Sequence, residues 1–312
     1  MDVSPVGVLD HGPIPCFQHT AIYLLSTSMN EDAQRGSGRD AACPVPNCPI
    51  PIDLILRSSD KVLLGAHKAN LEHFSDGFPS VDSVSDSEEP VDLTEDSATL
   101  KLLLSGVHKQ KLPTLSGLGS KQLLGLAEAG EKYFVYGVMA VCSERIRAES
   151  RMVKDEATAA TYFAYAAKFG YLEVADAVAP FMIPFDVDTM YDRLKGYDVA
   201  FLAWMRYREQ YVAISDILTR NYTVPELFNV LGFVPCSSWA LYLNGIRKKL
   251  PMSVKGHLQL IGANFDRLEW IFDDLQDLLK ECTCERCYSA ACRWKEKWKQ
   301  ASLNIKPFSS FV

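Results

Sequence analysis

Residues 52–74 read IDLILRSSDKVLLGAHKANLEHF, and few folds accommodate that order of patterns. Ile52, Leu54 and Leu56 alternate with Asp53, Ile55 and Arg57, the period-two spacing of a strand with one face buried. Ser58-Ser59-Asp60 supplies a polar turn and Val62-Leu63-Leu64 a second strand, so the segment predicts a β-hairpin. From Lys68 the spacing changes to that of a helix, with Leu71 and Phe74 on one side. A small sheet of this kind must bury its apolar face against other elements.

The rest of the chain supplies helices for that purpose. VDL at 91–93 reads as a short strand opened by Pro90, and Thr94, Asp96 or Ser97 can cap the helix that follows. Leu100, Leu103, Leu104 and Val107 form its buried stripe. Residues 121–150 predict two helices with Leu123, Leu126, Ala127, Val138, Met139 and Cys142 inward. LAEAGEKYFVYGVMAVC from 126 and FAYAAKFGYLEVADAVA from 163 align without gaps at an offset of 37, which predicts a helical hairpin used twice. Leu258, Ile261, Phe265, Leu268, Phe272, Leu275 and Leu279 recur in steps of three and four, the strongest helical signal in the chain, and predict one long helix. The fold class is therefore α+β, with the helices dominant.

Composition limits the function classes. Hydrophobic residues make up 48% and charged residues 23%, enough for a sizeable core. A formal net charge of −7 gives no broad electrostatic footprint for nucleic acid or an anionic membrane. The first basic residue is Arg35, so the start does not resemble a secretory signal, and charges or prolines interrupt every candidate membrane span. Nine cysteines, an odd number, are scattered rather than paired, which fits reduced thiols in cytoplasm or nucleus. Residues 1–49 are rich in proline and polar residues and predict a mostly flexible leader. SVDSVSDSEE predicts an exposed acidic loop.

Asp53, Ala66-His67-Lys68, Leu71, Ser75 and Phe78, taken in order behind a hairpin, resemble the core of a BTB/POZ domain. VDLTED is similar to that family's next strand, and LLGLAEAGEKYFVYGVMAVCSERI to the paired helices that close it. The resemblance covers residues 50–150. Residues 151–312, with AYAAKFGYLEVADAVAP and WMRYREQY, resemble the helical extension of the BTB proteins numerous in mushroom-forming fungi. It implies a BTB/POZ fold, a homodimer through that domain and an intracellular, non-catalytic assembly scaffold with a helical partner-binding tail. Asp53, His67, Lys68, Leu71, Ser75 and Phe78 are then candidates for the fold and dimer interface. A cullin-type ubiquitin-ligase adaptor is the alternative. Where the family's third helix ends in a Tyr-x-Tyr segment this chain has SGVHKQKLP, which weakens cullin recruitment.

Candidate chemistry is sparse. His67 has serine and aspartate near it in sequence, but the chain lacks a Gly-x-Ser-x-Gly elbow, and a histidine satisfied by backbone groups at a strand–helix junction is the simpler reading. Cys282, Cys284, Cys287 and Cys292 supply enough thiolates for tetrahedral zinc, although four ligands so close together demand a very tight knuckle. CPVPNC at 43–48 carries two cysteines without a histidine beside them. RWKEKWKQ at 293–300 mixes basic and aromatic residues, and with zinc it would suit a nucleic-acid-binding regulator. An amphipathic helix laying both tryptophans on the core is the competing reading. Neither G-x-G-x-x-G nor G-x4-G-K-[ST] occurs, so phosphate cradles are excluded.

Overall fold

Leu54–Arg57 (β1) and Leu63–Ala66 (β2) pair antiparallel, with Leu54 opposite Ala66 and Arg57 opposite Leu63. Ser58 closes the turn: its N–H and its Oγ both donate to the Val62 carbonyl, at 3.0 and 3.1 Å. Lys61 takes the left-handed conformation there, with φ 65°. Val91–Asp92 (β3) adds parallel to β1, giving a mixed sheet in the order β2-β1-β3. The computed structural model describes residues 41–78, 89–112, 114–220, 237–251, 253–263, 265–280 and 285–312, within one compact unit spanning Gly38–Val312. The acidic loop expected at 80–89 falls almost wholly outside the described residues.

Helices cover the sheet and continue beyond it. Lys68–Phe74 (α1), Ser97–Gly106 (α2), Ser120–Tyr133 (α3) and Tyr136–Ser150 (α4) follow the hairpin. Asp96 caps α2, accepting the Thr99 N–H at 2.7 Å, and Leu100, Leu103 and Leu104 lie fully inside. The hairpin echo is present: α3 and α4 form one pair, and Glu156–Phe169 (α5) and Leu172–Met182 (α6) the other. Phe134 ends α3 in the left-handed region (φ 51°), while Gly170 does so for α5 (φ 79°) at no steric cost. Because α5 packs on α3 and α6 on α4, the core crosses the expected boundary near residue 150 without a break.

Val187–Arg193 (α7), Asp198–Arg220 (α8), Ser237–Lys249 (α9), Val254–Ala263 (α10), Phe265–Lys280 (α11) and Glu285–Leu303 (α12) complete the described helices. Here one expectation is corrected. The apolar run from Leu258 to Leu279 is divided between α10 and α11 instead of forming one long helix. The two halves bury against different neighbours: α10 against α6 and α8, α11 against α9 and α12. Gly262 lets α10 approach α6 closely, since a Cβ there would lie 2.6 Å from the Pro180 carbonyl oxygen.

Of the mostly flexible leader expected at 1–49, the described residues include only 41–49. These are held: Ala42 bridges parallel to Leu64, and Gly65 N–H donates to its carbonyl at 3.0 Å. Val45 is buried at 8% exposure. Pro44 and Pro46 lower the entropic cost of fixing this loop, and the open edge of β2 supplies its hydrogen bonds. No helix among the described residues is long and apolar enough to cross a membrane.

Candidate metal centre

Four side chains from three parts of the chain converge beside the sheet: Cys43, Cys48, His67 and His108. Their nearest donor atoms all lie within 4.8 Å of one another, a set that can hold a metal ion. The loop preceding β1 contributes both cysteines. Asn47 there adopts φ 55°, and Cys48 N–H reaches the Val45 carbonyl at 3.3 Å, folding the two thiols to one side. His67 sits at the junction of β2 and α1, in extended backbone as the cap residue of α1. His108 follows α2 directly and turns its ring back over the last turn.

Each imidazole is oriented by its own carbonyl. Nδ1 of His67 lies 2.8 Å from the Pro51 oxygen, and Nδ1 of His108 lies 2.6 Å from the Leu104 oxygen. A proton donated from Nδ1 in both rings leaves Nε2 with its lone pair free for a cation, the arrangement in which histidine ligands are usually held. Those Nε2 atoms face sulfur: His67 to Cys48 Sγ at 3.3 Å, His108 to Cys43 Sγ at 3.5 Å. The two rings stand edge to face, with centroids 5.2 Å apart, so their lone pairs converge instead of the rings stacking.

The spacing can be tested against an ion. Zinc–sulfur bonds of about 2.3 Å and zinc–nitrogen bonds of about 2.0–2.1 Å make a tetrahedron whose S···N edges are about 3.6 Å. The observed 3.3 and 3.5 Å match that edge with little adjustment. Charge points the same way. Burial pushes the Cys43 thiol up, the Val45 N–H at 3.4 Å pulls it down, and the neighbouring Cys48 raises it again. Two adjacent thiolates are costly here without a cation between them, whereas a divalent ion deprotonates both and leaves a neutral centre. His67 is buried at 2% exposure and His108 at 9%, while both thiols remain half-buried.

The other sequence candidates have separate places. Asp53 accepts the backbone N–H of Lys68 at 2.8 Å, so the two meet through main chain at the start of α1. Leu71 is a core residue, and Phe78 stacks on Tyr133 with centroids 4.4 Å apart. Ser75 is buried at 6% exposure, its Oγ without a hydrogen-bond partner among the described residues. Of the cysteines expected to hold zinc, Cys282 and Cys284 lie outside the described residues. Cys287 is fully buried in the core face of α12, and Cys292 accepts a hydrogen bond from Gln276 at 3.0 Å. The basic-aromatic stretch lies on α12 with Trp294 and Trp298 buried against Phe272. Its Lys295 pairs with Asp273 at 2.5 Å and Lys299 with Glu269 at 2.7 Å.

Sequence reasoning set Cys43 and Cys48 aside for want of a neighbouring histidine and did not reach His108. The signal present was a pair of cysteines around a proline-stiffened loop, but His108 lies 65 positions from Cys43 and nothing local links them. No family model, curated protein or solved structure matches the chain.

Proposed function

We propose that this chain is a non-catalytic protein–protein interaction protein, a BTB/POZ-like assembly scaffold with a helical extension, fastened by structural zinc at Cys43, Cys48, His67 and His108. The observation that carries the zinc reading is the match of two sulfur–nitrogen distances, Cys48–His67 and Cys43–His108, to tetrahedral edges, with both Nδ1 atoms already committed to carbonyls. Four protein donors fill a tetrahedral ion completely, as in structural sites, whereas catalytic zinc keeps a position for water or substrate. The ion would tie the 43–48 loop to the sheet and to α2.

Docking is supported by apolar side chains left at the surface. Val199, Leu202 and Met205 on α8 are 53%, 54% and 41% exposed, beside Tyr191 of α7. Ile50 and Ile52, at 40% and 41%, lie next to the metal loop. Such side chains are the material of interface cores. Among the described residues, Ser215 Oγ approaches His257 Nδ1 at 3.1 Å, and both residues are buried in the helical core at 2% and 3% exposure. That placement suits packing more than turnover.

Native mass spectrometry of the purified full chain tests both halves of the reading. The expected result is a dimer carrying one zinc per chain, with the ion lost when Cys43 and Cys48 are both changed to Ser. A single-chain mass at micromolar concentration overturns the assembly reading, and absence of zinc after dialysis against it overturns the site.

A further inference from the structure

The donors divide unevenly between the two sides of the metal centre. Both sulfurs belong to one short loop, and both nitrogens belong to the body of the fold, each ring held by a carbonyl of its own. The thiols are partly exposed while the imidazoles are buried. Five positions separate the cysteines, and the turn closed by Cys48 N–H and the left-handed Asn47 keeps their Sγ atoms within 4.8 Å of each other. A disulfide needs the sulfurs at about 2.05 Å, with Cα atoms about 4.4–6.8 Å apart, a contraction that a surface loop can make without moving the sheet.

We infer that Cys43 and Cys48 are an oxidative modification site, at which a hydroperoxide converts the thiolate pair to a disulfide and expels the metal ion. The inference rests on the zinc reading above. One thiolate attacks the peroxide O–O bond, forming a sulfenic acid and releasing the distal fragment, which takes a proton to become an alcohol or water. The second thiolate attacks that sulfenic sulfur, forming the S–S bond and displacing hydroxide, which takes another proton to become water. The two sulfurs lose two electrons, the peroxide gains them, and zinc leaves as the same divalent ion, its sulfur ligands replaced by water.

The consequence follows from where the donors sit. Oxidation removes both loop-side ligands and neither body-side ligand, so His67 and His108 keep their carbonyl partners and the core keeps its packing. The loop is then attached mainly through Val45 and the single bridge from Ala42 to the edge of β2.

Zinc-loaded full-length protein is titrated with hydrogen peroxide in the presence of a chromogenic zinc chelator, and the products are mapped by non-reducing peptide mass spectrometry. The expected result is loss of one zinc equivalent per chain, in step with a Cys43–Cys48 disulfide, reversed by a dithiol reductant and added zinc. Cys292→Ala, outside the site, is expected to leave the release unchanged. Zinc retained while other cysteines oxidise, zinc released without that disulfide, or release abolished in Cys292→Ala overturns the inference. Zinc missing before peroxide is added overturns the site itself, so the two failures are distinguishable.

Discussion

Cys48 Sγ and His67 Nε2 lie 3.3 Å apart although 19 positions separate them along the chain. Between them run the whole of β1 and β2, so this one contact closes a loop around the hairpin. The second contact, Cys43 to His108, closes a larger loop that also takes in α1, β3 and α2.

Metal removal is therefore expected to weaken the sheet end of the molecule. With zinc in 100-fold excess over its Kd, preferential binding to the folded state contributes about 2.7 kcal/mol. Differential scanning calorimetry with and without a chelator should show Tm lower by roughly 3–5 °C in the stripped protein. An unchanged Tm would mean that the four donors hold no ion.

Cobalt reports the coordination directly. Substituted into the wild-type chain, Co(II) should give the intense visible bands of a tetrahedral thiolate–imidazole site. His108→Ala, which removes a donor far from CPVPNC in sequence, should weaken those bands as much as His67→Ala does. Bands that survive in His108→Ala would place the ion elsewhere.

Asp60 gives a pH signature. The neighbouring Ser58 and Ser97 side chains, with Ser97 donating its N–H at 2.9 Å and its hydroxyl at 2.7 Å, hold the carboxyl pKa down at about 2. A depressed carboxyl pKa contributes stability above its ordinary value of 3.8 and loses it as pH falls toward 2. Urea denaturation should find Asp60→Asn weaker than wild type at about pH 5, the two curves converging near pH 2. A constant gap across that range would contradict the assignment.

Gly77 is required by close approach. A Cβ at this position would stand 2.6 Å from the backbone carbon of Tyr133, whose carbonyl also accepts the Gly77 N–H at 3.0 Å. Gly77→Ala should cost about 1–3 kcal/mol by denaturant titration. Gly117→Ala, where a Cβ meets nothing within 4 Å, should be close to neutral.

Phe308 anchors residues 305–312 with no exposed surface, its ring 5.0 Å from that of Phe163 and 6.2 Å from that of Tyr207. Phe308→Ala should destabilise the protein by about 3–5 kcal/mol in urea titration. A change under 1 kcal/mol would show the segment to be a passive tail.

The hairpin, the α2 stripe and the paired helices were legible because each depends on residues within a turn or a strand of one another. The apolar run from Leu258 to Leu279 misled for the same reason. Its spacing reports which side is buried and says nothing of the two different partners that take its halves. The candidate site was half legible: His67 stood out, yet its Nε2 partner lies on a loop that composition marked as a leader. Cysteine density drew attention to 282–292, whereas convergence in space selects Cys43 and Cys48, a property that only the folded chain displays.

Besides the buried Phe308 ring, hydrogen bonds from α6 and α8 fasten residues 304–312. The Gln210 side chain donates to the Lys306 carbonyl at 3.2 Å and accepts its N–H at 2.9 Å, while Asp176 takes the Ser309 N–H at 2.8 Å and its hydroxyl at 2.7 Å. Tension applied at Val312 would thus load α6 and α8 through two side chains and one ring.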